Sequence, residues 1–273
     1  MIGFNNGKYQ LLEEISIPVT SLSINRGYGA FEFLEVINRK PFYGDRHAAR
    51  LLNTMKILKL NTDFDRKIEE IVEEIVERNG LIDYFIKLFV LPHEPARQGN
   101  YHGALYVFPA IMKSYDPSLY SSGAHLVTKE FERFLPKAKS TNYLAGQYWL
   151  DEQTDPQLTD VLFHNGQTVQ ETSRGNVFVV KDGKVTTPAQ NILNGVTRGI
   201  ILEILGSKNI PFAEAEVSLE ELFSADEVFL SSTTKHIMPI TRIDEHIIGK
   251  GTAGEITWKI MLAFQRLRES AGK

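Results

Sequence analysis

The chain opens with short apolar runs that alternate with polar positions, and then changes period. "KYQLLEE" and "AFEFLEVIN" read as strands, the second rich in aromatic and β-branched residues. "DRHAARLLNTMKILKL" places Ala48, Leu51, Leu52, Met55 and Leu58 at helical spacing with Asp45 as its cap, and Ile68, Ile71, Val72, Ile75 and Val76 form a second stripe that "ERNG" stops. "YFIKLFVL" and "GALYVFPAIM" are buried strands on either side of the loop "PHEPARQGNYH". The polar segment "KSYDPSLYSSG" then marks a boundary. Beyond it come the strand "AHLVTKEF" and hairpins that turn at Asn165-Gly166 and Asp182-Gly183. A helix over "GVTRGIILEILGSKNI", a helix capped by Ser218 with Glu221 at the capping-box position, the strand "DEVFLSS" and a closing helix complete the pattern. The expected fold class is mixed α+β and α/β in two domains. Residues 1–115 form a smaller α+β domain, 116–123 a linker and 124–273 a larger domain.

Composition narrows the possibilities. The 273 residues are 42% hydrophobic and 23% charged, which is a globular balance with enough chain for a large core. A formal charge of -4 gives no basic excess to favour nucleic acid or an acidic membrane. Cysteine is absent, which removes disulfides and thiolate chemistry. No signal-peptide pattern opens the chain and no apolar run reaches the ~20 residues of a membrane span, so a cytoplasmic protein is expected. The seven histidines are scattered, so no metal site is expected.

The phosphate-loop, dinucleotide-loop and serine-elbow motifs are missing. "RGYGAF" has two glycines at dinucleotide-loop separation but leads into a strand rather than a helix. Two stretches suit an anion. Asn194-Gly195-Val196-Thr197 opens a helix, where free N–H groups and the dipole favour a phosphate. Ser231 to Thr234 gathers four consecutive hydroxyls at a strand end.

The ordered set "KSTNYL … TVQETSRGNVFVVKDGKVTTP … ILNGVTRG … ADEVFLSSTTKHIMPITRID", with "RGYGAFEFLEVINRKPFYGDRHAARL" upstream, resembles the class IV pyridoxal-phosphate aminotransferases, from about residue 20 to 265. That group holds branched-chain aminotransferases, D-amino acid aminotransferases and aminodeoxychorismate lyases. The resemblance implies a two-domain fold-type IV enzyme, like the D-amino acid aminotransferases, with pyridoxal 5'-phosphate in the larger domain. It implies Lys139, rather than Lys137, as the lysine that meets the cofactor aldehyde, and Glu171 as the partner of the pyridine nitrogen. Arg50 in "HAARL", with Gly195, Val196 and Thr197, would hold the phosphate; Leu193 would pack on the ring, and Ser232 and Thr233 match the family's hydroxyl cluster. The lysine's freed amine would move a proton at the substrate α-carbon, while a carboxylate at the ring nitrogen keeps that nitrogen protonated.

Substrate contacts depart from the family pattern. A tyrosine is common where Phe31 stands, and Phe31 lacks the hydroxyl that would meet a substrate carboxylate. The loop that supplies an Arg-x-His pair from the partner subunit has Arg97, His93 or His102 out of register. Arg26 is an alternative carboxylate anchor, and Thr234 completes the candidate set. The expected reaction is transamination between a small or aliphatic amino acid, D or branched-chain, and a 2-oxo acid. The alternative is 4-amino-4-deoxychorismate lyase chemistry, which eliminates pyruvate. The family's site takes loops from a second subunit, so the resemblance implies a homodimer with active sites completed across the interface.

Overall fold

The computed structural model of the chain describes residues 1–92, 99–112 and 114–271. The chain divides into two compact units, one of Met1–Lys113, Lys137–Asn142 and Arg268–Lys273, the other of Ser114–Pro136 and Tyr143–Leu267. A single cut near residue 120 therefore does not describe it: the six residues around Lys139 cluster with the first unit. Among the described residues, no helix is long and apolar enough to cross a membrane.

The first unit contains β1 (Ile2–Asn5), β2 (Lys8–Leu11), α1 (Leu22–Arg26), β3 (Ala30–Ile37), β4 (Lys40–Pro41), α2 (Gly44–Ile57), β5 (Leu60–Asn61), α3 (Ile68–Asn79), β6 (Tyr84–Pro92) and β7 (Tyr101–Ala110). Its strands run in the order β2-β1-β7-β6-β3-β4, with β5 beside β7. Period-two alternation sorts β3 and β6 into two faces. Leu34 and Val36 of β3, with Ile86, Leu88 and Val90 of β6, are buried in one cluster with Leu51 and Met55 of α2 and Ile71, Val72 and Ile75 of α3. Phe31 and Phe33, opposite Phe89 and Lys87, occupy the other face and are half-buried. Asp45 sits in the first turn of α2 rather than at its cap; the cap position is Tyr43, which has a φ of 54°.

The second unit contains α4 (Ser118–Ser122), β8 (Ala124–Glu130), α5 (Leu144–Asp151), β9 (Leu158–His164), β10 (Val169–Thr172), β11 (Asn176–Lys181), β12 (Lys184–Pro188), α6 (Val196–Ser207), β13 (Phe212–Ala215), α7 (Leu219–Phe223), β14 (Glu227–Ser232), β15 (His236–Ile243), β16 (His246–Ile247) and α8 (Glu255–Ser270), whose last turn counts with the first unit. Helix α4 occupies the stretch expected as a linker. The strands run β10-β9-β8-β15-β14-β11-β12-β13, with β16 beside β15 and β10 also bridging to β11. The Asp182-Gly183 turn has φ values of 48° and 77°, the paired positive angles of a two-residue hairpin loop. The capping box forms: Ser218 accepts from Glu221 N–H while the Glu221 carboxylate accepts from Ser218 N–H. Phe178 and Phe229 stack at 4.8 Å in the sheet interior.

Candidate active site

Lys139 is fixed through its backbone. Its N–H donates to Thr54 Oγ1 on α2 at 3.0 Å, and its carbonyl accepts from Phe31 N–H on β3 at 3.0 Å. Two residues on, Thr141 N–H donates to Gly29 O at 2.9 Å and its hydroxyl to Gly27 O at 2.8 Å. The segment thus lies as a short extra strand against the start of β3, with Ala30 bridging Ser140. Gly29 permits the approach, because a Cβ there would come 3.2 Å from Thr141 Cγ2 and 2.8 Å from Leu91 Cδ2. The side chain of Lys139 is half-buried, with Nζ 4.6 Å from the centroid of the Phe31 ring, whereas Lys137 is exposed.

Arg50 is committed to a neighbour that the sequence reading did not name. Its Nε and Nη2 donate to the two oxygens of Glu32 at 2.8 and 2.6 Å, a planar fork on a carboxylate that is 1% exposed. His47, one turn earlier, brings Nδ1 to 3.1 Å from the same carboxylate. Burial alone would raise the Glu32 carboxyl, but Arg50 and His47 together hold it well below the usual carboxylate range. Burial lowers His47, helped by Arg50 and Lys139 and opposed by Glu32, so its ring is neutral at pH 7. His47, Arg50 and Thr54 recur at helical spacing along one stripe of α2. One turn of this helix therefore braces Glu32 and the next braces Lys139.

In the second unit, Glu171 is 3% exposed. Its Oε2 accepts from Leu193 N–H at 2.9 Å, and its Oε1 lies 3.2 Å from Arg133 Nε. Arg133 also donates to Ser173 O and lies 4.7 Å from the centroid of the Tyr143 ring. Burial works against the Arg133 charge, but Tyr143 and Glu171 outweigh it and raise its pKa. The half-buried Leu193 has its carbonyl bonded by Asn176 Nδ2 at 2.9 Å, so strand β11 and Glu171 together set the turn that leads into α6. That helix begins at Gly195 with no side-chain cap and no acid in its first turn, and Val196 and Thr197 are buried there. Arg198 turns away to Thr187, Pro188 and Glu214.

The four hydroxyls do not act together. Ser231 is buried on β14, and its Oγ lacks a hydrogen-bond partner among the described residues. Ser232 Oγ accepts from Lys235 N–H at 3.0 Å and closes the turn, while Thr233 and Thr234 are half-buried on it. Beneath this turn, Lys235 Nζ meets Asp160 Oδ2 at 2.5 Å, both side chains 0% exposed. Asp160 also accepts from Val161 N–H, from Ser173 Oγ and from Thr172 Oγ1, which divides its proton with Gly175 O. Ser173 and Thr172 directly follow Glu171, so the buried pair secures the strand that carries it.

Of the remaining candidates, Arg26 is exposed at the end of α1 and bonds the Asn25 carbonyl. Phe31 lies beside Lys139, as above. Arg97 and His93 lie outside the described residues. His102 is exposed at the start of β7, where it pairs with Asn61 of β5 and with Asp63. Among the described residues, no cluster of three His, Asp or Glu could hold a metal.

The comparisons with known proteins bear on this geometry as a whole. Residues 29–243 match the family model for amino-transferase class IV. The D-alanine aminotransferase of Staphylococcus epidermidis is 30% identical, over 98% of both chains. Among solved structures, the T.th. branched-chain amino acid aminotransferase with pyridoxamine 5'-phosphate superposes with a TM-score of 0.89 at 25% identity, covering 100% of this chain and 95% of that one. The Thermoproteus uzoniensis branched-chain aminotransferase with norvaline gives 0.88 at 25% identity, covering 100% and 97%. The mixed sheets and helices are those of the fold-type IV enzymes. These relatives are aminotransferases, and the lyase alternative is not favoured. The lysine held between α2 and β3, the buried carboxylate on β10 and the uncapped start of α6 stand in a chain that belongs to the class IV aminotransferases, a pyridoxal-phosphate-dependent family of transaminases.

Proposed function

We propose that this aminotransferase moves the amino group of a small or aliphatic amino acid, D-alanine foremost, onto a 2-oxo acid, and that it binds pyridoxal 5'-phosphate to do so. The observation that carries the reading is Lys139, whose backbone is held at both N–H and C=O while its side chain stays half-buried beside Phe31. The donor set suits the cofactor. An uncapped helix start with buried Val196 and Thr197 is a phosphate site. A buried carboxylate fixed by the Leu193 N–H and the Arg133 charge suits the ring nitrogen. The roles follow: Lys139 meets the aldehyde, Glu171 the ring nitrogen, Arg50, Gly195, Val196 and Thr197 the phosphate, Leu193 the ring face, and Ser232 and Thr233 the hydroxyl contacts. When bound, the group acts as an electron sink and carries the amino nitrogen. Lys139 is the proton carrier at the substrate α-carbon, and its fixed backbone leaves only the side chain to move.

The D-alanine preference rests on the curated relatives, and the half-buried aromatic face around Phe31 and Phe33 is suited to a small apolar side chain. Exposed Phe134 (86%), Leu144 and Tyr148 in the second unit support assembly as a homodimer, which light scattering would test. Purified protein loaded with pyridoxal phosphate and mixed with D- or L-amino acids, one at a time, tests the reaction through the cofactor's visible band. D-alanine should bleach it faster than L-alanine or L-leucine. If no amino acid of either hand changes the band, the reading is wrong.

A further inference from the structure

Nothing in the proposed chemistry uses Asp160 or Lys235, yet both side chains are 0% exposed. Stability is a poor reason to bury such a pair, because well-packed apolar residues of the same volume are often as stable or more so. What a carboxylate offers and a hydrocarbon lacks is a set of directed acceptors. Asp160 Oδ1 takes the Val161 N–H and the Ser173 hydroxyl, and Oδ2 takes Thr172 Oγ1 at 3.1 Å and Lys235 Nζ at 2.5 Å.

Ser173 is the next link. Its N–H donates to Val161 O at 2.9 Å, and its carbonyl accepts from Arg133 Nη2. Helix α5 closes over it, since a Cβ on Gly146 would stand 2.4 Å from Ser173 Cβ. Arg133 packs on the rings of Tyr143 and Phe163, 4.7 and 5.8 Å from their centroids, with Nε 3.2 Å from Glu171 Oε1. A continuous path thus runs from Asp160 through Ser173 and Arg133 to the Glu171 carboxylate, all within the second unit.

We propose that Asp160 is a positioning residue for Glu171. By anchoring Ser173 it fixes where Arg133 meets the carboxylate, and so how that carboxylate faces the ring nitrogen of the cofactor. The proposal rests on the pyridoxal-phosphate reading above. A small misplacement of Glu171 weakens the contact that keeps the ring nitrogen protonated, without removing any group that touches the substrate. Lys235 neutralises Asp160 and, through its own N–H to Ser232 Oγ, ties the same anchor to the hydroxyl turn.

The test compares wild type with two double variants that both lack the charges: Lys235→Met with Asp160→Asn, and Lys235→Met with Asp160→Leu. The Asn side chain keeps an acceptor for the Ser173 hydroxyl, and the Leu side chain does not. Each protein is loaded with pyridoxal phosphate isotopically labelled at the ring nitrogen. The NMR chemical shift of that nitrogen is recorded beside kcat and KM for D-alanine. The Leu variant should move the shift toward the unprotonated value and lower kcat about tenfold, with KM within a few-fold. The Asn variant should stay near wild type in both. Ser173→Ala deletes the donor, keeps both charges and should reproduce the Leu variant; it decides the matter alone if the Leu variant fails to fold. Wild-type shift and kcat in the Leu variant and in Ser173→Ala overturn the proposal, as does a loss in one that the other does not share. Equal losses in the Asn and Leu variants also overturn it, because the charge rather than the anchor would then be responsible. A protonated wild type beside inert variants removes only Asp160. A wild type that binds no cofactor, or holds it unprotonated, removes the reading of Glu171 and the role of Asp160 with it.

Discussion

Replacing Lys235 by Met removes one charge from the most deeply buried ion pair described. Lys235 and Asp160 are both 0% exposed and 2.5 Å apart, so solvent cannot compensate the carboxylate left behind. Breaking such a pair costs about 3–5 kcal/mol. Three donors to Asp160 survive the change, from Val161 N–H, Thr172 Oγ1 and Ser173 Oγ, which places the expected loss near the lower end, about 3 kcal/mol. Removing both charges, with Asp160→Asn in the same chain, leaves mainly a packing defect of about 1 kcal/mol, so the double variant should be about 2 kcal/mol more stable than Lys235→Met alone. Urea unfolding followed by tryptophan fluorescence reports this unit, since Trp149 and Trp258 both belong to it and Trp149 packs on Phe131 and Phe163. The pH dependence gives a second check. Burial would raise Asp160, but Lys235 and the hydrogen bonds lower it. In wild type, its contribution is complete above the unfolded carboxylate range and fades only as pH falls through its depressed native value. In Lys235→Met, burial is left without the opposing charge and the carboxyl pKa moves up. The stability gap to wild type should therefore narrow as pH falls through the ordinary aspartate range towards the depressed native value. A single variant as stable as the double one, with a gap flat in pH, would refute the reasoning.

Three further outcomes are expected. Thr54→Val removes the hydroxyl that fixes Lys139 N–H but keeps the shape of the side chain; kcat should fall about tenfold and the pH profile of the cofactor's visible band should shift, with Thr54→Ser restoring both. Arg50→Met strands the buried Glu32, so about 3 kcal/mol of stability should be lost at pH 7, and on the phosphate role proposed above less cofactor should survive dialysis. Because the Glu32 carboxyl is depressed, that loss should be full above the ordinary glutamate range and shrink below it, which melting curves at pH 4 and 7 would show. Ser218→Ala deletes a formed capping box and should cost about 1 kcal/mol in denaturant unfolding without changing KM.

What the sequence reveals depends on how local the determinant is. The hairpin at Asp182-Gly183 and the cap at Ser218 are written in neighbouring residues, and both form as expected. Glu32 was also legible, as an acid in phase with Leu34 and Val36 on the core face of β3, which demands a buried cation opposite. Arg50 and His47, in phase with Leu51 on α2, were the partners to look for. Asp160 and Lys235 gave no such signal. Each reads as a solvated charge, and only a contact 75 residues apart buries both. The return of Lys137–Asn142 to the first unit was invisible for the same reason, because it rests on hydrogen bonds to Gly27, Gly29, Phe31 and Thr54, far away in the chain. Lys87 on a strand read simply as apolar, although its register places it on the half-buried face.

The short strand that carries Lys139 also orders events during synthesis. Everything it docks on, from Gly27 to Thr54, precedes it by 85 residues or more, so the ribosome releases the receiving surface well before the lysine. A nascent chain of 113 residues holds the dock without its occupant, with Phe31 N–H and the Gly29 carbonyl still facing solvent. The edge of β3 is a brief opening for mispairing that closes when residues 137–142 arrive, so the residue proposed to meet the cofactor is also part of the segment that seals it.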